Sequence, residues 1–557
     1  MFFSPDLIVL ACWASTAVAG QVTFRNSHKY YFDVDGNAID SVNGKVEWIQ
    51  GQYLWIGEPS SCGAEACDKV SWSSPNLIDW YFNGPLFNLT ENAQYCLVGL
   101  GSCSRPKVIY NEKTRKYVFY GFATRGSGPA TVPVFTSDSL TSGYTFAGEM
   151  IPDYAPAGWS VEDLGLTVLD GKAYLTFTGW NITSMYSDGH LGSIWPPFIN
   201  PVLVQPLSED FLQASGRSYP VHQAGTGFPI FPDSPNLIDG QFQSPDLFRR
   251  GDTYYVIGSG TCSFCPGTTT LAYRSASPFG PWTRQIVDCG NTCGGQAMGV
   301  LNVPPVAPGA EGAFVYHADS FSTAPMGGHI TGSKGHAFWP LSFASDGSIE
   351  PIDCSANKTF TIDAPPATAP FPRIGGRAVN ATDGSGNYGA YYSETGLITK
   401  RFLYQTWTSS KSGMLTEVGV NLALNAPAPN PITIVVFSYP DEATLLSPGF
   451  RWTELATKLV ADTTDRSFLS FQVQRIEVNQ EVQAGQRLGI ALFSAQNGPR
   501  VWSLPYAYLV QDTAGTGTNH KLYAIEKGHI SRDGPKGQQS PLKEVVDREI
   551  KWYATVV

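Results

Sequence analysis

Charge is scarce in this chain, and so are long apolar runs. Only 15% of its 557 residues are charged, no stretch gathers the basic ones, and the formal net charge is −11. Nothing here would neutralise a phosphate backbone, so nucleic acid is not an expected partner and neutral polymers fit better. The one apolar run near the N-terminus, Leu7 to Ala19, is too short to span a bilayer, and no later segment reaches spanning length. It ends in the small residues Ala17, Val18 and Ala19, so residues 1–19 are predicted to be a secretory signal, although no Lys or Arg precedes the run. A secreted, extracellular chain with no membrane partner is expected.

What the chain has in plenty is Gly (57), Pro (40) and aromatic residues (13%). That profile suits many short strands joined by tight turns, and the length calls for more than one domain. The fold class expected is all-β. Of ten cysteines, Cys12 falls in the signal and most of the others come in close pairs: Cys62/Cys67, Cys96/Cys103, Cys262/Cys265 and Cys289/Cys293, with Cys354 left over. In an oxidising compartment these read as disulfides; zinc held by the C-x-x-C and C-x-x-x-C spacings is the alternative. Sequons stand at Asn88, Asn181, Asn357 and Asn380.

One pattern recurs five times: an apolar strand, a short turn with Gly or charge, a strand rich in Tyr and Phe, then a third strand. The copies are NGKVEWIQGQYLWIGE, RPKVIYNEKTRKYVFYGF, LGLTVLDGKAYLTFTGW, SPDLFRRGDTYYVIGSG and GVLNVPPVAPGAEGAFVYHAD. With Tyr53, Tyr117, Tyr174, Tyr254 and Phe314 as equivalent marks, the repeat is roughly 60 to 80 residues long, as propeller blades are. A five-bladed β-propeller is predicted over residues 20–355. A Pro- and Ala-rich linker follows over 356–375, and then a jelly-roll-like β-sandwich over 376–557, whose segments VGVNLALN, ITIVVFSY and RLGIALFS alternate in character. Such a sandwich is either a carbohydrate-binding module or structural, and Trp407 and Trp502 either stack on sugar or pack its core.

A propeller gathers the starts of its innermost strands around one funnel, so polar residues just before each first strand are the site candidates. They are Asp40 and Asn43, then Ser104 and Arg105, then Glu162 and Asp163, then Gln241, Gln243 and Asp246, and finally Gln296. Each carboxylate among them also suits a turn or cap.

The segments DVDGNAI, WIGE, RPKVIYNEK, EDLGLTVLDGKAYL, QSPDLFRRGDTYY, SPFGPW and FWPLSF resemble the blade motifs of glycoside hydrolase family 43, and most of all its exo-β-1,3-galactanase branch. The resemblance runs from Phe32 to Phe343. It implies an inverting mechanism, with a carboxylic acid that protonates the leaving oxygen and a base that activates water. It places the Asp that tunes the acid at Asp163 and a water-holding Gln at Gln296. The acid Glu is replaced by Gln243 in the tripeptide Gln243-Ser244-Pro245, and a second family Glu by Ser104. Where the branch carries Gln-Ala-His-Gly, this chain has Asp40-Ser41-Val42-Asn43, so Asp40 is either a relocated base or a turn residue.

The implied activity is that of a galactanase-like O-glycosyl hydrolase acting on or binding galactan-, arabinan- or xylan-type side chains of plant or microbial polysaccharides through an altered site. Asp163, Gln296, Asp40, Glu162 and Asp246 are its catalytic candidates. Gln243, Ser104, Arg105, Asn43 and Gln241 are its substrate-binding candidates. The alternative is a catalytically impaired, lectin-like pseudo-hydrolase. No cofactor is implied, a structural calcium held by waters and carbonyls would leave no mark in the sequence, and a monomer is expected.

Overall fold

A computed structural model describes residues 20–25, 31–59, 68–97, 100–124, 131–153, 159–181, 201–224, 242–259, 270–288, 295–307, 309–320, 336–353, 359–368, 378–384, 392–394, 401–424, 432–447, 451–460, 472–494, 507–512, 520–526, 543–544 and 549–557. The expected signal, Gln241, Trp502, Asn357 and every cysteine except Cys96 and Cys103 lie outside these residues. The side chains of Glu162 and Asn181 do so too.

The described residues are all-β, built of antiparallel sheets with two short helices among them, Ala93–Cys96 and Glu442–Leu446. The first sheet comprises Val42–Ile49, Gln52–Glu58, Val70–Ser74 and Tyr81–Pro85. The second holds Leu100–Asn111, Lys116–Thr124, Val132–Ser137 and Thr145–Met150. In the third are Trp159–Leu169, Lys172–Asn181, Val202–Pro206 and Tyr219–Pro220. The fourth has Gln243–Arg250, Thr253–Ser259, Thr270–Ser275 and Thr283–Asp288, and the fifth Gly295–Val303, Ala313–Ser320 and His336–Pro340.

Turn chemistry explains the leading hairpins. Gln50-Gly51 and Asp170-Gly171 both have two successive positive φ angles (48° and 81°, 51° and 72°), the conformation that lets a two-residue turn follow the twist of its strands. The five aromatic marks all fall near the start of the second strand of their own sheets.

Side chains between consecutive sheets form five apolar clusters. Leu54 and Val108 join the first sheet to the second, Val118 and Leu166 the second to the third, and Tyr174 and Leu247 the third to the fourth. Phe248 and Val300 join the fourth to the fifth, and Val315 and Trp55 bring the fifth back to the first. The first strands also touch in that cyclic order, so the five sheets close a ring. The strand Gly20–Arg25 pairs with Thr359–Ala364 over the last junction, where Val22, Phe24, Ile362 and Ala364 are buried. Thr359–Ala364 lies inside the span expected to be linker. Its Thr-Phe-Thr-Ile-Asp-Ala alternation is a strand period too short to stand out beside the Pro- and Ala-rich residues that follow.

The described C-terminal residues form a seven-stranded and a six-stranded sheet that share one apolar core, to which Trp407, Val418, Val420, Ile434, Val436, Ile490 and Trp552 belong. Trp407 is buried with its ring 4.5 Å from that of Trp552, so it packs the core and does not face a ligand. The turn at residues 33–37 ties the two regions together. Asn421 donates to the Gly36 carbonyl (2.6 Å), Arg475 to that of Asp35 (2.9 Å), and the Val473 N–H to Asn37 Oδ1 (3.1 Å).

Candidate functional site

Every first strand carries a β-bulge near its start: between Val42 and Lys45, Ser104 and Lys107, Glu162 and Gly165, Gln243 and Asp246, and Ala297 and Gly299. In the first four the bulge holds a non-glycine residue in the left-handed region: Asn43 (φ 61°), Arg105 (56°), Asp163 (49°) and Ser244 (53°). Such a backbone costs energy, and bulges that re-aim side chains gather beside functional sites. Three of those four residues are candidates from sequence, and Gln243 precedes the fourth.

Just past each bulge the chain supplies Lys45, Lys107, Gly165, Asp246 or Gly299 to the ring interior. Lys45 Nζ lies 3.0 Å from both Asp246 oxygens, and Asp246 Oδ2 also accepts the Val300 N–H at 2.8 Å. A Cβ on Gly299 would fall 2.7 Å from Asp246 Oδ2, and one on Gly165 2.2 Å from the Pro245 carbonyl, so glycine at those two places makes room for the pair. Burial favours an uncharged Lys45, but Asp246 and Glu47 override it and hold the amine above its usual range. Lys107 donates to the Asn43 carbonyl at 3.3 Å and has no carboxylate partner among the described residues. Burial, with Lys45 and Arg105 beside it, pushes Lys107 down to about 7. Asp246 is therefore one half of a buried ion pair, and both its oxygens are committed.

Asp163 is buried and held from two sides. Arg105 Nε lies 2.7 Å from its Oδ1, and Ser244 donates its backbone N–H (3.1 Å) and its hydroxyl (3.4 Å) to Oδ2. It thus locks the bulge that carries Gln243 to the neighbouring sheet. Arg105 also reaches Met298 Sδ at 3.7 Å. Gln243 and Gln296 stand at the starts of adjacent first strands, both buried. Oε1 of Gln243 and Nε2 of Gln296 have no hydrogen-bond partner among the described residues. Asp40 is half-buried in the segment that leads into the first strand.

Sequence reasoning missed Glu58, the last residue of Gln52–Glu58. Its Oε1 accepts from Asn43 Nδ2 (2.6 Å), and its Oε2 from Lys69 Nζ (2.6 Å) and Ser104 Oγ (3.2 Å). Burial alone would raise its pKa, but Lys69, Asn43 and Ser104 more than offset this and hold the carboxyl below its usual range. An ionised carboxylate thus stands against Ser104, where the sequence resemblance implied a missing one. The available signal was an acidic residue ending a strand that after Gln52 is otherwise aromatic, apolar or small, because a buried carboxylate there needs a cation. The disulfide Cys96–Cys103, as expected from sequence, precedes Ser104 directly.

Behind Asn43 lies a second buried group. Asp319 Oδ2 accepts the Asn43 N–H at 2.9 Å, and its Oδ1 is 3.0 Å from His336 Nδ1, which in turn is 3.2 Å from His317 Nε2. Burial, then His336, Lys107 and Lys45, keep the His317 ring well below the usual imidazole range and so neutral.

No family model matches the chain, and no curated protein matches it. Among solved structures it is similar to an exo-β-1,3-galactanase from Clostridium thermocellum, with 15% identity over 96% of this chain and 100% of that one and a TM-score of 0.46. It is also similar to one from Phanerochaete chrysosporium solved with β-1,3-galactotriose, with 16% identity, 88% and 99% coverage and a TM-score of 0.44. A third is a glycoside hydrolase family 43 β-1,3-galactosidase solved with galactodeoxynojirimycin, with 22% identity, 58% and 96% coverage and a TM-score of 0.44.

Proposed function

We propose that the five sheets are the blades of one β-propeller, that the two C-terminal sheets form a jelly-roll-like sandwich, and that the mouth of the ring is a carbohydrate site of glycoside hydrolase type in a secreted protein. Its ligand class is the galactan-, arabinan- or xylan-type side chain that the sequence resemblance implies. The observation that carries this reading is the pair of buried amides. An unpartnered buried polar atom costs about 1–3 kcal/mol, and a sugar answers both demands, since one hydroxyl donates to Gln243 Oε1 and another accepts from Gln296 Nε2. Ionised Glu58 supplies a further acceptor beside Asn43 and Ser104.

The same residues favour slow turnover. Inverting hydrolysis needs a neutral acid and a base on opposite faces. Gln243 has no acidic proton, Asp163 and Asp246 are engaged with Arg105 and Lys45, and Glu58 is held ionised. The reading is a glycoside hydrolase-like protein that binds its glycan and cleaves it poorly, with the lectin-like pseudo-hydrolase as the limit. Titration calorimetry with β-1,3-galactotriose, arabinotriose and xylotriose tests it. At least one should bind, and Gln296→Ala should weaken that binding by roughly tenfold, the worth of one hydrogen bond to a polar group. Binding by none of the three, or binding untouched by Gln296→Ala, would remove the sugar site from this end of the ring.

A further inference from the structure

We propose that His317 Nε2, His336 Nδ1 and Asp319 Oδ1 form a site for one divalent transition-metal ion, zinc by preference, between the second and third strands of the fifth sheet. The three atoms lie within 4.8 Å of one another on side chains that are all buried. Their measured separations, 3.2 Å between the two ring nitrogens and 3.0 Å from His336 to Asp319, are close to the ~3.3 Å that separates ligand atoms around a tetrahedral ion with bonds of about 2.0–2.1 Å.

His336 Nε2 lies 3.4 Å from the Ile39 carbonyl. With a metal on Nδ1, the Nε2–H donates to Ile39, the outer hydrogen bond that orients a ligating histidine. Two imidazole nitrogens and one carboxylate oxygen suit zinc and its first-row neighbours and not calcium, which takes oxygen ligands. Lys45 and Lys107 oppose a cation here, but the charge of Lys45 is matched by Asp246 at 3.0 Å. The ion would also fix Asp319, whose other oxygen holds the Asn43 backbone. These are positioning roles, and the site does not rest on the sugar reading.

The test is elemental analysis of the untagged full chain, expressed with zinc in the medium and passed over a chelating resin. About one zinc per chain is expected, with anomalous scattering at the zinc edge placing it between His317 and His336. His317→Phe, chosen because His317 already stacks on Phe338 at 4.5 Å, should lose the metal. Asp319→Asn should lower affinity by roughly 10- to 100-fold and serves if the first variant does not accumulate. Metal-free wild-type protein, equal zinc in wild type and both variants, or an anomalous peak elsewhere would each overturn the proposal.

Discussion

The two halves of this molecule bury different things. The C-terminal sheets enclose an aliphatic and Trp core, and the ion pair of their buried Glu417 with Arg475, at 2.9 Å, stands at the joint with the ring, where Arg475 also holds the Asp35 carbonyl. The ring keeps its aliphatic side chains between sheets and places Lys45–Asp246, Arg105–Asp163, Lys69–Glu58, Lys107 and His317–Asp319–His336 toward its interior. A chain built only for stability would favour the first arrangement, because buried pairs repay their desolvation poorly. The ring carries much of that cost at and beside the bulged ends of its first strands, where the proposed sugar site lies.

Single substitutions should separate the halves. The largest effect is expected for Asp246→Ala, which leaves the buried Lys45 amine with Glu47 alone, at 3.0 Å, and should destabilise by up to about 3–5 kcal/mol. Adding Lys45→Met together with Glu47→Gln should recover much of that loss in a urea melt. Failure of the triple variant to recover would mean that Asp246 acts through its bond to Val300 and not through charge. Ile434→Ala in the C-terminal core should cost about 2–5 kcal/mol through the cavity it leaves, and no polar second change should rescue it.

A smaller, graded effect is expected at the joint between the halves. Burial raises the Asp33 carboxyl to about 7, against hydrogen bonds from Asn37, Trp72 and Asp35 that lower it. Its folded pKa then exceeds the unfolded value near 3.8, so the folded state binds the extra proton between those pH values. Stability should therefore fall as pH rises from about 4 to about 7, by no more than ~1.4 kcal/mol per pH unit. Thermal melts across that range, compared with Asp33→Asn, check the sign. An identical slope in the variant assigns it to another group.

Much of this was legible in the sequence. The five Tyr and Phe marks, the five quoted repeat copies and the all-β class follow from strand period and turn residues, which are local properties. The bulge residues were legible too, because Asn43, Arg105, Asp163 and Gln243-Ser244 hold one place in successive repeats. Glu58 was not, since it ends a second strand and joins Asn43 and Ser104 only once sheets one and two close on each other. The same holds for Lys45 with Asp246, which are 201 residues apart in sequence. Asp246 looked catalytic because nothing local reveals the lysine that meets it. The strand Thr359–Ala364 was hidden by its partner, Gly20–Arg25, at the far end of the ring.

The central claim is that an acid is missing where Gln243 stands, and the direct measurement is hydrolysis of β-1,3-galactobiose by wild type and by Gln243→Glu, beside an aryl galactoside whose leaving group needs little protonation. The account predicts slow wild-type cleavage of the disaccharide, a gain on the order of 10²-fold or more in the variant, and a much smaller gain on the aryl substrate. Rapid wild-type cleavage that Gln243→Glu leaves unchanged would contradict it, and would show that the proton comes from another residue.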